Sequence, residues 1–220
     1  LALLIKHLHP SIVSVDDERF LPPPRLGTVS VQRPRVIRSV FDNVSLSDTA
    51  KFYRIVGGGL EEDCSAYVDR LHEWNGMDEH GIPEFLRGAD YVKTFNDDKV
   101  AANLRITVEL SGPAKLYLLW DDRISVPEWV RREFRDTDQD IGLDEGFQAP
   151  GLDTSRVTDM GAGASVDRVF SIWQRNVPGA TTVVLGSMRI DATTLTPRQV
   201  AASMYGIAAV PWVQEQGLRN

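Results

Sequence analysis

The chain has 220 residues, with 31 acidic against 24 basic side chains and a formal net charge of −7. That length fits one all-β domain with an extension and can bury a sizeable core without cross-links. The acidic balance argues against a nonspecific nucleic-acid or anionic-membrane binder, either of which needs a basic face. Cys64 is the only cysteine, which excludes an intrachain disulfide and a Cys-rich metal site. No stretch reaches the roughly 20 apolar residues of a membrane span, so no membrane insertion is expected of this fragment. The chain starts at Leu1 without Met and reads as a piece of a longer protein; Leu1 to Leu8 is apolar but short, and no cleavage pattern follows it.

Taken in order, residues 1–48 read as an N-terminal extension with short strands, and 49–220 as the main domain. Asp16-Asp17-Glu18 and Pro22-Pro23-Pro24 favour an extended spacer. Val29 to Val31 and Arg35 to Phe41 look like short strands, as does Ala50 to Val56. Gly57-Gly58-Gly59 ends the last of these; without a following Lys-Ser or Lys-Thr pair it is a turn rather than a phosphate loop. Ser65 to Arg70 is a strand candidate, and Asn75-Gly76 a turn.

The most regular stretch comes next. Leu104, Ile106, Val108 and Leu110 alternate with Arg105, Thr107 and Glu109, the period of two of a half-buried strand. All four apolar side chains should face one side of a sheet, because a slip of one residue would expose them together. Ser111-Gly112-Pro113 stops the strand and predicts a hairpin into Lys115 to Trp120, a run apolar enough to be covered on both faces. Ser125 with Glu128 fits a capping box for one or two helical turns through Phe134. Arg135 to Gly151 is acidic, Gly-rich and without periodic apolar positions, so it reads as loop. Val166 to Val177, Thr181 to Leu185 and Met204 to Val210 are the remaining strands, and Thr196-Pro197 opens a short helix. Many short strands between turns, with one or two short helices, predict an all-β, mostly antiparallel β-sandwich or jelly roll.

Two acidic turns end in a cation: Asn96-Asp97-Asp98-Lys99 and Trp120-Asp121-Asp122-Arg123. Carboxylates accept from sugar hydroxyls and an indole face stacks on a pyranose, so Asn96, Asp97, Asp98, Asp121, Asp122 and Arg123, with Trp74, Trp120 and Trp129, are candidate ligand-binding residues. The competing reading makes the turns structural, with Arg123 partly buried against Asp98 or Asp122 and the tryptophans in the core. Asp136, Asp138 and Asp140 have D-x-D-x-D spacing and are candidate Ca²⁺ ligands, although Ile141 and Phe147 stand where an EF-hand needs Gly and Glu. His72 and His80, each beside a glutamate, meet no metal-ligand pattern. No G-x-S-x-G elbow or H-E-x-x-H helix is present, so no catalytic residues are assigned.

The order ADYVKTFNDDK, LYLLWDDR, PEWV, SIWQRNVPGATTVVLG and SMYGIAAV resembles a β-sandwich module of bacterial multidomain extracellular proteins. Such modules accompany polysaccharide-degrading enzymes. YRIVGGGLEEDCSAYVDRLHEWNG resembles the segment that joins the module to a FecR-type domain, and the likeness runs from about Phe52 to Val210. It implies an exported protein, periplasmic or at the cell surface, whose partner is a polysaccharide or another envelope protein. The expected function is a noncatalytic, carbohydrate-binding module. The alternative is a structural or protein-interaction module attached to a FecR-type envelope sensor, with a glycoside hydrolase a third and weaker reading.

Overall fold

The computed structural model describes residues 35–43, 53–146, 161–164, 166–190, 196–197 and 201–212, all within one compact unit that begins at Arg35. The extended spacer, the Val29–Val31 strand and most of the Thr196-Pro197 helix lie outside these residues. The described residues form eleven strands: β1 (Ile37–Asp42), β2 (Arg54–Val56), β3 (Cys64–Ser65), β4 (Glu73–Asn75), β5 (Asp90–Lys93), β6 (Arg105–Leu110), β7 (Ala114–Asp121), β8 (Arg135–Asp144), β9 (Arg168–Val177), β10 (Thr181–Gly186) and β11 (Gly206–Pro211). They form a three-stranded sheet, β1-β6-β10, and an eight-stranded sheet, β2-β5-β11-β7-β9-β8-β4-β3. Every pairing between these strands is antiparallel, and an isolated bridge between Tyr67 and Thr94 is parallel. The fold is an all-β sandwich, with a single α-helix among the described residues, α1 (Glu128–Glu133).

The period of two in β6 places its apolar residues as expected: Leu104, Ile106, Val108 and Leu110 are all buried while Arg105 is exposed. β7 is buried along almost its whole length. Its alternation puts Leu116, Leu118 and Trp120 on one face and Tyr117, Leu119 and Asp121 on the other. Trp120 stacks on Tyr205, while on the opposite face Tyr117 meets Phe85 from the loop before β5. The large sheet is therefore covered on both sides, and its second cover is made of loops rather than helices.

Three expectations are corrected. Ser111-Gly112-Pro113 is no hairpin: β6 lies in the small sheet and β7 in the large one, so the turn carries the chain from one sheet to the other. Ser111 secures this corner by donating its hydroxyl to the Arg35 carbonyl at 2.7 Å. Residues 135–144, read as loop, form the ten-residue strand β8, whose first six positions are largely exposed and whose last four are buried. Its outer half carries polar side chains on both faces, so no apolar alternation marks it. The helix α1 forms, but Pro127 is its N-cap residue and no side chain caps it, so Ser125 and Glu128 make no capping box. Ile37–Asp42, a short strand by sequence, is hydrogen-bonded along β6 as an edge of the small sheet.

A buried carboxylate ties the two sheets together. Asp90, at the start of β5, accepts hydrogen bonds from the backbone N–H of Val36 at 2.6 Å and of Ile37 at 3.1 Å, where β1 begins. It also accepts from Gly58 N–H at 2.8 Å, in a turn where Gly58 has φ +63°. Asp90→Ala would leave these donors without an acceptor. We expect it to lower stability by about 2 to 4 kcal/mol, read as a reduced denaturant midpoint at unchanged m-value; a midpoint equal to that of the parent would show that water replaces the carboxylate at no cost.

Candidate functional site

The two acidic turns do come together, around the segment Ala202–Met204 that leads into β11. The first forms a 3-10 turn over Asn96–Val100. The Asn96 side chain accepts from Met204 N–H at 2.9 Å, and Lys99 donates its ammonium to the Ala202 carbonyl at 2.6 Å. Burial pulls the Lys99 pKa below the ordinary lysine value. From the second turn, Asp121 accepts from Ser203 N–H at 2.7 Å. Tyr67 closes the arrangement by donating its hydroxyl to the Met204 carbonyl at 2.6 Å.

Asp121 is fully buried and is the anion of this knot. Arg123 reaches it with Nε at 2.9 Å from Oδ1 and Nη2 at 2.6 Å from Oδ2, the two-pronged pairing that a guanidinium fork permits. The Arg123 backbone N–H donates to the same carboxylate at 2.9 Å. Arg123 also lies 3.5 Å from Glu145, which binds Arg168 at 2.9 Å. Desolvation opposes the Arg123 charge, but the Asp121 and Glu145 carboxylates outweigh it and raise its pKa above the ordinary arginine value. The partner of Arg123 is thus Asp121, not Asp98 or Asp122. β7 continues through Asp121, which stays buried within the covered sheet, whereas Asp122 lies just past the strand in a turn and is exposed. Asp122 instead accepts from the backbone and hydroxyl of Ser171. Asp98 is buried and accepts from the Tyr53 hydroxyl at 2.7 Å, whereas Asp97 is exposed and pairs with Arg70.

The tryptophans fall out unequally. Trp74 and Trp120 are 1% and 0% exposed and cannot offer a ring face to a ligand. Trp74 packs edge-on against Phe170, and Trp120 donates its indole N–H to the Ile124 carbonyl at 3.0 Å. Trp129, on α1, is half-buried and donates to the Ser187 carbonyl at 3.0 Å. One side of its indole lies against Gly186, where an added Cβ would sit 3.0 Å from the ring nitrogen. Trp129 lines two adjoining clefts. One, of about 600 Å³, runs along Arg123–Trp129 with Met188, Arg189 and Thr196. The other, of about 720 Å³, lies between α1 and the ends of β6 and β10. The second cleft escaped the sequence reading, because its walls come from four separate parts of the chain.

Among the described residues, no set of three or more His, Cys, Asp or Glu side chains is gathered as a metal site. Asp136, Asp138 and Asp140 lie on β8 across a register irregularity, where Asp138 has φ +56° and its N–H donates to Asp136. Burial, then the neighbouring Asp122 and Asp136 charges, raise the Asp140 pKa. His72 and His80 line separate clefts.

The sequence matches no family model and no curated protein. Among solved structures, the chain is similar to one described as the structure of a beta-glucuronidase from glycoside hydrolase family 2, with a TM-score of 0.57 at 14% identity. The match covers 82% of this chain and 15% of that one. The likeness is one of fold: this sandwich corresponds to a small part of the larger enzyme chain.

Two outcomes follow from the buried groups. Arg123→Ala should destabilise by about 3 to 5 kcal/mol, since it strands a buried carboxylate, whereas Arg70→Ala, which loses an exposed pair, should cost at most about 1 kcal/mol; equal denaturant midpoints for the two variants would refute the distinction. Burial pushes the Cys64 thiol up to about 11. At pH 8 the folded protein should therefore react slowly with a thiol reagent and rapidly once denaturant is added, because the thiolate is the nucleophile; equal rates in the two conditions would contradict the burial.

Proposed function

We propose that this chain is a noncatalytic β-sandwich module of an exported bacterial protein and that it binds carbohydrate at the cleft beside Trp129. The observation that carries the reading is the place of Trp129 itself. It is half-buried, held by its N–H and by ring contacts with Trp120, Phe134 and Tyr205, and it lines two adjoining clefts. A rigid aromatic wall beside polar side chains supplies stacking for a sugar ring and partners for its hydroxyls. The shared fold with part of a glycoside hydrolase chain is in keeping with a carbohydrate-related module. A noncatalytic role is supported by the use of the buried carboxylates: Asp90 and Asp121 each hold backbone donors, and Asp121 also holds Arg123. Neither is poised as an acid or nucleophile facing its counterpart across an open site.

A second reading has its own observation. On the outer face of the small sheet, Phe41 and Val184 flank Thr107 in register and are 56% and 53% exposed. Such a row would suit a protein-interaction module, in which the chain positions a FecR-type envelope sensor.

Titration calorimetry against soluble plant and algal oligosaccharides separates the readings. Weak binding is expected, with affinity falling about ten-fold in Trp129→Phe, which keeps a ring in place but reduces the stacking surface. Absence of binding to every oligosaccharide would remove the carbohydrate reading and leave the outer face with Phe41 and Val184 as the candidate surface. Release of reducing sugar would overturn the noncatalytic assignment.

A further inference from the structure

The larger cleft beside Trp129 has a charge opposite to that of the chain. Arg105 from the start of β6, Arg132 from α1 and Arg189 after β10 all line it, and all three are exposed. The cleft has a single carboxylate among its lining residues, Glu133. That carboxylate is already shared by two guanidinium groups, Arg132 at 2.9 Å and Arg175 at 2.6 Å. Arg105 and Arg189 form no ion pair among the described residues. Part of the cleft lining is fixed: the Asn43 side chain accepts from Arg105 N–H at 2.7 Å and donates to the Asn103 carbonyl at 2.9 Å. A chain with net charge −7 thus brings three arginines from three separate elements to one concave wall that includes an indole.

Exposed arginines normally lie among carboxylates on an acidic protein, where they offset the surrounding charge. Here the excess positive charge is local and faces a cavity of about 720 Å³, a volume in the range of small-ligand sites. Guanidinium groups present a planar fork that matches the two oxygens of a carboxylate or of a sulfate ester. The surrounding negative charge is screened beyond about 8 to 10 Å at physiological salt, so the local field acts on a ligand already in contact.

We propose that the cleft between α1 and the ends of β6 and β10 binds an anionic saccharide, with Arg105, Arg132 and Arg189 holding its carboxylate or sulfate groups and Trp129 its ring. This rests on the carbohydrate reading above and names the ligand class for the same site. The two sources of the anion, a uronate carboxylate and a sulfate ester, share the chemistry that the guanidinium groups recognise.

The experiment is calorimetric titration of the intact chain with oligogalacturonate, a sulfated galactan oligosaccharide and a neutral cello-oligosaccharide, each at low and at high sodium chloride. The expected result is that at least one anionic ligand binds more tightly than the neutral one. Its affinity should fall with added salt and drop about ten-fold in Arg189→Gln and again in Arg132→Gln. The matched control is Arg38→Gln, which removes an equal charge beside Glu109 and outside the cleft; it should bind as the parent does. Which anionic ligand binds decides between carboxylate and sulfate. Neutral binding equal to or tighter than anionic binding would overturn the anionic assignment and leave the carbohydrate module standing. An equal loss in Arg38→Gln would overturn the cleft as the site, and binding of none of the three ligands would remove the carbohydrate reading with it. Thermal unfolding of each variant guards against loss of fold, and these surface arginines should leave it within a degree or two of the parent.

Discussion

A charge placed inside the sandwich is the constraint on which one end of the molecule depends. Asp121 is the last residue of β7 and is fully buried, so its carboxylate must be compensated. Arg123 supplies the countercharge two residues on, and Ser203 supplies a backbone donor from the segment leading into the neighbouring strand β11. The pair is worth little as net stabilisation, because desolvation of both ions offsets most of their attraction. Its consequence is positional. Ala202–Met204 can enter β11 in only one register, since Ser203 must meet Asp121 while Met204 meets Asn96. Gly206 then lies opposite Leu119, and Tyr205 stacks on Trp120.

The same device recurs in several irregular segments. Asp90 holds three backbone donors, Glu62 accepts from Gly76 and Ile82, Asp63 from Gly161 and the Asn75 amide, and Asp69 from Asn96 and Asp97. The loops covering the second face of the large sheet have no helix to pair their N–H groups, and side-chain carboxylates take that part. Much of the acidic excess is therefore structural, since these acids serve as acceptors for the chain itself.

Against that background the cleft beside Trp129 stands out because its surplus is of donors. The buried Asp121 has its countercharge in Arg123, and none of the cleft arginines pairs with it. The indole that separates the two clefts is anchored on the Ser187 carbonyl and on Gly186, so its orientation is set before any ligand arrives. A preformed wall of this kind lowers the ordering cost of binding.

The sequence by itself determined the local features. The alternation from Leu104 to Leu110 fixed the inward face of β6, and the dense apolar run from Leu116 to Trp120 required cover on both sides, because either choice of face buries large side chains. Fold class followed from these and from the spacing of turns. Tertiary structure decided what depends on partners. A Ser-Gly-Pro turn can close a hairpin or cross between sheets, and only the pairing of β6 with β1 and β10, and of β7 with β9 and β11, settled that it crosses. β8 went unread because its outer half is polar on both faces and is a strand through its backbone pairing with β9. The partner of Arg123 turned on where β7 ends: the strand runs one residue past Trp120, so Asp121 stays within the covered sheet and Asp122 falls in the exposed turn. The arginine cleft was illegible for a plainer reason: Arg105, Arg132 and Arg189 are dozens of residues apart and carry no shared motif, and they meet only because the fold brings the start of β6, α1 and the end of β10 to the same place.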